Sequence, residues 1–239
     1  MQDRHLSLIE HLDELRRRLI QCLLPFLAAT LFSAVFTKQI LSFLQLPARG
    51  AIEKLAFFSP QEVALVYIKI ALLTGLVASS PFILYHIWKF ISPALEEKQR
   101  GYAINFIFFT WFSFFIGACF CFFYLLPISL RFLIGLAGAE LMPVISISKY
   151  ISFVLILTVG CGLTFEMPVL AWILTKLNIL NAGFLRRKRK YAVVIILILA
   201  AIITPTTDPF NMFLLAKPMY ILYEISIWIS SFTEFKRKL

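Results

Sequence analysis

Three carboxylates near the amino terminus are spaced so that they could bind a cation. Glu10, Asp13 and Glu14 lie three and four residues apart, which places them on one face of a helix. The basic run 16–18 follows directly. One interpretation is a solvated helix whose acids pair with its own arginines and favour its positive amino-terminal end. The other is an acidic patch that binds a cationic ligand.

A second acidic group follows in the predicted loop 89–100. Glu96 and Glu97 lie there, on the same predicted side of a membrane as the first cluster. A planar guanidinium binds a carboxylate through two parallel hydrogen bonds, which an ammonium group cannot do. Two acidic patches on one side therefore favour a ligand that carries arginine rather than lysine.

Glu166 is an acid within a long apolar run. A charged side chain at the centre of a bilayer costs about 2.5–3.5 kcal/mol on insertion scales. It therefore faces water, a partner or the protein interior, and a functional role is the first hypothesis. The alternatives are a satisfied interhelical hydrogen bond and proton handling, since burial favours the neutral acid. Pro168 follows two residues later and can bend the helix.

The last third of the chain contains a polar turn and two charges within an apolar run. Two prolines and Asp208 explain the turn 204–210 as a tight hairpin without any further role. Lys217 and Glu224 are seven residues apart, about two helical turns, so they share a face. They either pair through intermediaries or both line a wet cavity.

Enzyme chemistry and metal binding are not expected. The histidines are scattered, and the sequence has no HExxH, GxSxG or Walker pattern. The four cysteines lie in apolar runs without metal or redox spacing. A net charge of +10 could suggest nucleic acid, but no motif of the known nucleic-acid modules occurs. We therefore predict no cofactor, no metal and no nucleic-acid partner.

Membrane-spanning helices must position these groups. The chain is 60% hydrophobic and only 15% charged, against about 25% charged residues in a soluble domain. A crossing of about 30 Å needs about 20 apolar residues. We predict a single all-α integral membrane domain, residues 1–239, with six spans at 19–36, 63–88, 103–126, 151–174, 191–203 and 210–229. The fifth and sixth spans are predicted to be short, and Lys217, Pro218 and Glu224 also make the sixth a poor span on its own.

Charge predicts the orientation. With six spans, sixteen lysines and arginines flank the side that holds both termini, and five lie on the other side. Basic residues concentrate in cytoplasmic loops. Both termini are therefore predicted to be cytoplasmic.

Several short stretches resemble the TatC family, the receptor subunit of the twin-arginine protein translocase. They occur in the family's order over nearly the whole chain: HLDELRRRL at 11–19, SPQE at 59–62, SPFILYHIWKF at 80–90, PAL at 93–95, FEMP at 165–168, RKRKY at 187–191, TP and DPF at 204–210, and LYEIS at 222–226. Each one is weak alone, but together they are specific.

The resemblance implies a cupped, glove-like six-helix bundle with a concave face within the membrane. It also implies a receptor that binds the paired arginines of signal peptides on folded export proteins. Single-span TatA- and TatB-type subunits would be recruited, transport would be driven by the proton-motive force, and the chain would assemble with copies of itself. The expected location is a bacterial inner membrane, with a thylakoid membrane as the less favoured alternative.

The resemblance also implies roles for individual residues. Glu14 would bind signal-peptide arginine, with Arg16 and Phe90 shaping the site. Glu166 would be the acid on the concave face, and Pro47 would organise the first outer loop. The partner-binding region would contain Thr204, Asp208, Met212, Tyr223 and Glu224.

This chain departs from the family pattern at two places. Gln99 stands where a second arginine-binding Glu is usual, so Glu96 or Glu97 substitutes for it or the Gln99 carbonyl serves instead. Met212 replaces a polar Gln, and Lys217 replaces an apolar residue. A rival hypothesis remains open from the residues alone, namely a small secondary transporter that uses Glu166 and Lys217 at the bilayer midplane.

Overall fold

The computed structural model describes residues 8–49, 52, 55–91, 101, 103–136, 138, 144–206 and 208–238. In this part of the chain the regular structure is helical, apart from one isolated parallel bridge between Ala56 and Ser146. The α-helices are α1 (Leu8–Val35), α2 (Thr37–Leu44), α3 (Pro60–Ile91), α4 (Ala103–Phe120), α5 (Leu126–Gly135), α6 (Ile147–Phe165), α7 (Met167–Lys176), α8 (Ala182–Arg187), α9 (Arg189–Ile203) and α10 (Pro209–Lys238).

Within the described residues, five helical segments are long and apolar enough to cross a membrane. They are Asp13–Val35, Pro60–Phe90, Ile104–Gly135, Ile147–Lys176 and Pro209–Phe235. The predicted α class and the first four predicted spans correspond to helices of the structure. Two predicted spans remain. The sixth corresponds to α10, and the fifth corresponds to α9, whose 15 residues reach only about 22 Å.

The helices extend beyond the spans predicted from hydropathy. A π-helical turn, Cys121–Leu125, joins α4 to α5, so the third span continues past Leu126 to Gly135. Pro127 lies in the first turn of α5, where its missing N–H costs least. The expectation of a short sixth span is wrong, because α10 is 30 residues long and contains Pro218 in its interior. Neighbouring groups can satisfy the backbone that a proline frees inside a membrane helix.

The two ends of the bundle carry different polar connections. At the distal end, where α1 finishes and α10 begins, Tyr150 donates its hydroxyl to the Leu44 carbonyl at 2.8 Å. Phe132 stacks on Phe210 there, with 3.8 Å between ring centroids. At the terminal end, where α1 begins and α10 finishes, the Ala182 N–H donates to Glu234 at 2.7 Å.

Two reciprocal glycine contacts bring α4 and α6 together. A Cβ added at Gly117 would lie 2.7 Å from the Phe165 ring, and one added at Gly162 would lie 2.6 Å from the Phe114 ring. Each glycine therefore makes room for an aromatic side chain of the facing helix. The Ser113 hydroxyl also donates to the Phe165 carbonyl at 2.6 Å, at the junction of α6 and α7.

α1 lies along α3 at a still closer approach. A Cβ built at Gly75 would lie 2.3 Å from Thr30 Oγ1 and 2.7 Å from the Thr30 backbone. Lipid tails are as apolar as these side chains, so close contact between backbones supplies much of the attraction between membrane helices. The opposite face of α1 is apolar and open, since Leu24, Leu31 and Val35 are about 70% exposed.

The turn between α9 and α10 is closed by Asp208. Its Oδ1 accepts the backbone N–H of Asn211 at 2.8 Å, and its Oδ2 accepts the Asn211 side-chain amide at 2.9 Å. This is the N-cap arrangement that satisfies the first free N–H groups of a helix. Partial burial raises the pKa of Asp208, but hydrogen bonds from Asn211 and Thr206 outweigh it and hold the pKa below its usual range.

We predict that Gly75→Ala separates α1 from α3. The clash is with backbone atoms, so no side-chain rotation relieves it, and overpacking of this kind costs about 1–3 kcal/mol. The thermal stability of the detergent-purified protein measures the effect. Gly135→Ala is the matched control, because a Cβ there meets nothing within 4 Å. Equal melting temperatures for the two variants would show that the α1–α3 approach is not tight.

We predict that Asp208→Ala lowers the free energy of unfolding by about 1 kcal/mol at neutral pH, the usual value of an N-cap. The folded-state pKa lies below the unfolded value of about 3.9, so the charged cap stabilises fully above that pH. The gap between the wild type and the variant therefore shrinks as the pH falls below about 4. Melting curves between pH 7 and pH 3 measure it, and a gap independent of pH would contradict the charged cap.

Candidate functional site

The acidic face of α1 is held by an internal ion pair. Arg18 Nη2 donates to Glu14 Oε1 at 2.9 Å, one turn apart, with 22% of the Glu14 side chain exposed. The sequence left open whether the acids pair with the helix's own arginines, and for Glu14 the structure contains that pair. Arg16 is exposed and lies outside the pair.

The register of α1 and α3 brings Glu14 to the level of Phe90. Thr30 lies against Gly75, and Arg18 lies close enough to His86 to interact with it electrostatically. Both contacts fit one antiparallel alignment. In the same alignment, Glu14 lies one turn before Arg18 and Phe90 lies one turn after His86. Glu14 is therefore beside the last turn of α3, where Phe90 is half-buried. The predicted partners Glu96, Glu97 and Gln99 lie outside the described residues.

Glu166 lies at the kink between α6 and α7 and is only 7% exposed. The Thr110 hydroxyl and the Phe114 backbone approach its carboxyl group, but neither oxygen has a partner with hydrogen-bonding geometry among the described residues. The Thr110 hydroxyl is also buried, and no residue in the described part of the chain forms a hydrogen bond with it. The alternative of a satisfied interhelical hydrogen bond is therefore not realised in the described part of the chain.

The hairpin of α9 and α10 is tied by a second ion pair at the terminal end. Arg189 Nη2 donates to Glu224 Oε2 at 2.7 Å, and the Tyr220 hydroxyl donates to Glu224 Oε1 at 3.1 Å. Tyr223 is buried and donates its hydroxyl to the Leu185 carbonyl at 2.7 Å. Glu224 and Tyr223 thus hold α8, α9 and α10 together.

Lys217 is exposed on the same hairpin and lines a groove of about 440 Å³. The groove lies between α9 and α10, and its other walls include Val193, Phe213 and Tyr220. Tyr220 therefore stands between Lys217 and Glu224, which do not pair directly. Glu166 is not part of this groove, so the structure does not bring the two midplane groups of the transporter hypothesis together there.

The remaining predicted residues of this region have local roles. Thr204 is buried, and its hydroxyl donates to the Ala200 carbonyl at 2.8 Å. Met212 is half-buried in the first turn of α10, after the Asp208 cap. Pro47 lies in a 3₁₀ turn, Leu46–Ala48, beside the buried Ala48.

Sequence reasoning missed the role of Glu62 at the distal end. The Glu62 carboxylate accepts the Phe58 N–H at 2.7 Å, the Ser148 N–H at 3.2 Å and the hydroxyl of Ser146. It thereby joins the start of α3 to the start of α6. The pattern Ser59-x-x-Glu62 is that of a helix capping box, which could have shown the local contact. That local pattern does not indicate the contact with Ser146, which lies 84 residues further along the chain.

Comparisons with known proteins identify the family of this chain. The family model described as Sec-independent protein translocase protein (TatC) matches residues 10–218. The TatC protein of Carboxydothermus hydrogenoformans is 37% identical over 98% of this chain and 96% of its own length. That of Aquifex aeolicus is 38% identical over 98% of both chains.

A solved structure has the same fold. The crystal structure of the twin-arginine translocase receptor TatC superposes with a TM-score of 0.83 at 37% identity, covering 94% of this chain and all of the other. The resemblance read from the motifs is thereby confirmed. The chain belongs to the TatC family, and it is a multi-pass membrane component of a Sec-independent protein translocase.

Proposed function

We propose that this chain is the receptor core of its translocase and binds Arg-Arg signal peptides of folded proteins at its terminal end. The observation that carries the proposal is the Glu14 carboxylate, which is partly exposed and already accepts a guanidinium at 2.9 Å. A ligand arginine can take the same geometry. Phe90, half-buried at the same level, offers apolar surface to the side chains that follow the arginines.

The proposal includes six spans with both termini in the cytoplasm of a bacterial cell. Support comes from α9, which reverses the chain between the basic segment 186–190 and the turn 204–208. About 22 Å of helix is less than the usual hydrocarbon thickness, and bilayers thin locally around such helices. The basic residues of the terminal end then face the cytoplasm.

The proposal assigns partner recruitment to the outer surface of the α9–α10 hairpin. Val194, Ile198, Ile202 and Phe213 are exposed there, next to the groove that contains Lys217. A single-span TatA- or TatB-type helix would cover this apolar surface. Thr204, Asp208, Tyr223 and Glu224 would act by holding the hairpin in shape, with Met212 at its edge. Transport would then draw on the proton-motive force.

We predict that Glu14→Gln weakens binding of an Arg-Arg signal peptide by about 10- to 100-fold. The variant keeps the shape of the side chain but loses charge-assisted hydrogen bonds of about 1.5–3 kcal/mol. Fluorescence anisotropy of a labelled peptide with the purified protein measures the affinity. Asp13→Asn is the matched control, because it removes the same charge from the exposed neighbouring position.

The control variant is expected to stay within threefold of the wild type. A Lys-Lys peptide is expected to bind the wild type at least tenfold more weakly than the Arg-Arg peptide, since an ammonium cannot form the paired hydrogen bonds. Unchanged affinity in Glu14→Gln would refute the assignment of the binding residue. Equal affinity for both peptides would refute the guanidinium argument.

We predict that α9 crosses the membrane. In a background without the four native cysteines, Thr206→Cys should react with a membrane-impermeant maleimide added outside the cell. Lys188→Cys should react only after permeabilisation. Labelling of both from one side would mean that α9 does not cross, and the reverse pattern would place the termini outside. Retained export by each variant confirms that its fold is intact.

A further inference from the structure

A cavity of about 470 Å³ opens at the distal end, away from the residues proposed for signal-peptide binding and next to the turn that contains Thr204 and Asp208. It lies between the end of α5, the start of α6 and the turn at Pro205 and Thr206. Most of its wall is apolar and includes Leu130, Leu133 and Phe153. An aliphatic chain would pack against such a wall, whereas a free inorganic ion would gain no favourable contact from it.

One edge of this cavity is polar. Ser148 and Ser152, one helical turn apart on α6, both line it. Lys69 of α3 donates to their hydroxyl oxygens at 3.4 Å and 2.9 Å. Since an ammonium group can only donate, both serine hydroxyls act as acceptors towards Lys69 and keep their hydrogens for another partner. Two O–H donors thus lie side by side at the cavity edge.

The charge at this edge is positive. Lys149 is exposed and lines the cavity between the two serines, and Lys69 stands behind them. The one acid bonded to this edge among the described residues is Glu62, whose carboxylate accepts the Ser148 N–H and the Ser146 hydroxyl. This edge therefore carries two ammonium groups and one carboxylate, and the carboxylate is already hydrogen-bonded. Positive charge with free O–H donors matches an anionic oxygen group such as a phosphate.

The position of the cavity suits a lipid. Its lining residues lie on the second half of α5, the start of α6 and the turn after α9, and such helix ends are where the headgroup region of a bilayer begins. We propose that this cavity binds an anionic phospholipid. The phosphate contacts Ser148, Ser152 and Lys149, and one acyl chain lies along the apolar wall.

The experiment uses the full-length, detergent-purified protein with phosphatidylglycerol as the probe. Native mass spectrometry measures the retained lipid, and melting temperature measures the stabilisation that any ligand of the folded state produces. The wild type is expected to retain phosphatidylglycerol. Lys149→Gln and the double variant Ser148→Ala/Ser152→Ala are each expected to reduce retention about tenfold.

Lys38→Gln is the matched control, since it removes an exposed lysine of α2 at the same end of the bundle and is expected to retain lipid like the wild type. The double variant also removes two partners of Lys69. If it does not fold, Lys149→Gln decides the result, because it leaves those hydrogen bonds intact.

Three outcomes would overturn the proposal. The first is retention in Lys149→Gln equal to that in Lys38→Gln. The second is equal retention of zwitterionic phosphatidylcholine, because the site would then not select an anionic headgroup. The third is an equal rise in melting temperature with inorganic phosphate alone, because the apolar wall would then play no part.

Discussion

This structure depends on close contact between its helices, because the hydrophobic effect does not drive membrane helices together. In lipid, apolar side chains gain little by leaving the hydrocarbon for each other, so shape and internal hydrogen bonds must hold the bundle. Gly75 brings α1 against α3, and Gly117 and Gly162 seat aromatic rings between α4 and α6. The alignment of Glu14 with the end of α3 follows from the first of these contacts.

Polar groups reinforce the two ends of the bundle, where the helices leave the apolar region. At the distal end, Glu62 joins α3 to α6, and Asp208 caps α10. At the terminal end, Arg189 and Glu224 join α9 to α10. Unsatisfied backbone groups are costly in a membrane, so each connection both closes a helix end and fixes its neighbour. Between the ends, polar contacts such as the Ser113 hydroxyl on the Phe165 carbonyl lie among packed apolar side chains, and Glu166 is a buried acid there.

Hydropathy predicted where the first four spans lie, because the length of an apolar run reports the thickness of the bilayer directly. It predicted the sixth span too short, since Lys217 and Pro218 interrupt the run although the helix continues through both. The spacing of acids and arginines in α1 left internal pairing as one of two interpretations, and the contact of Glu14 with Arg18, one turn apart, is such a pair. The contacts of Glu62 with Ser146 and of Arg189 with Glu224 depend on tertiary structure, and local spacing carries no information about them.

The ion pair between Glu14 and Arg18 would make the proposed recognition an exchange. An incoming arginine that binds Glu14 would displace Arg18, so one guanidinium would replace another and the contact would yield less net free energy than a new ion pair. The released Arg18 would stay tethered one turn away and compete for return. A second arginine in the ligand would add contacts that Arg18 does not cancel. A preference for two consecutive arginines can thus arise from an internal competitor as well as from two separate pockets.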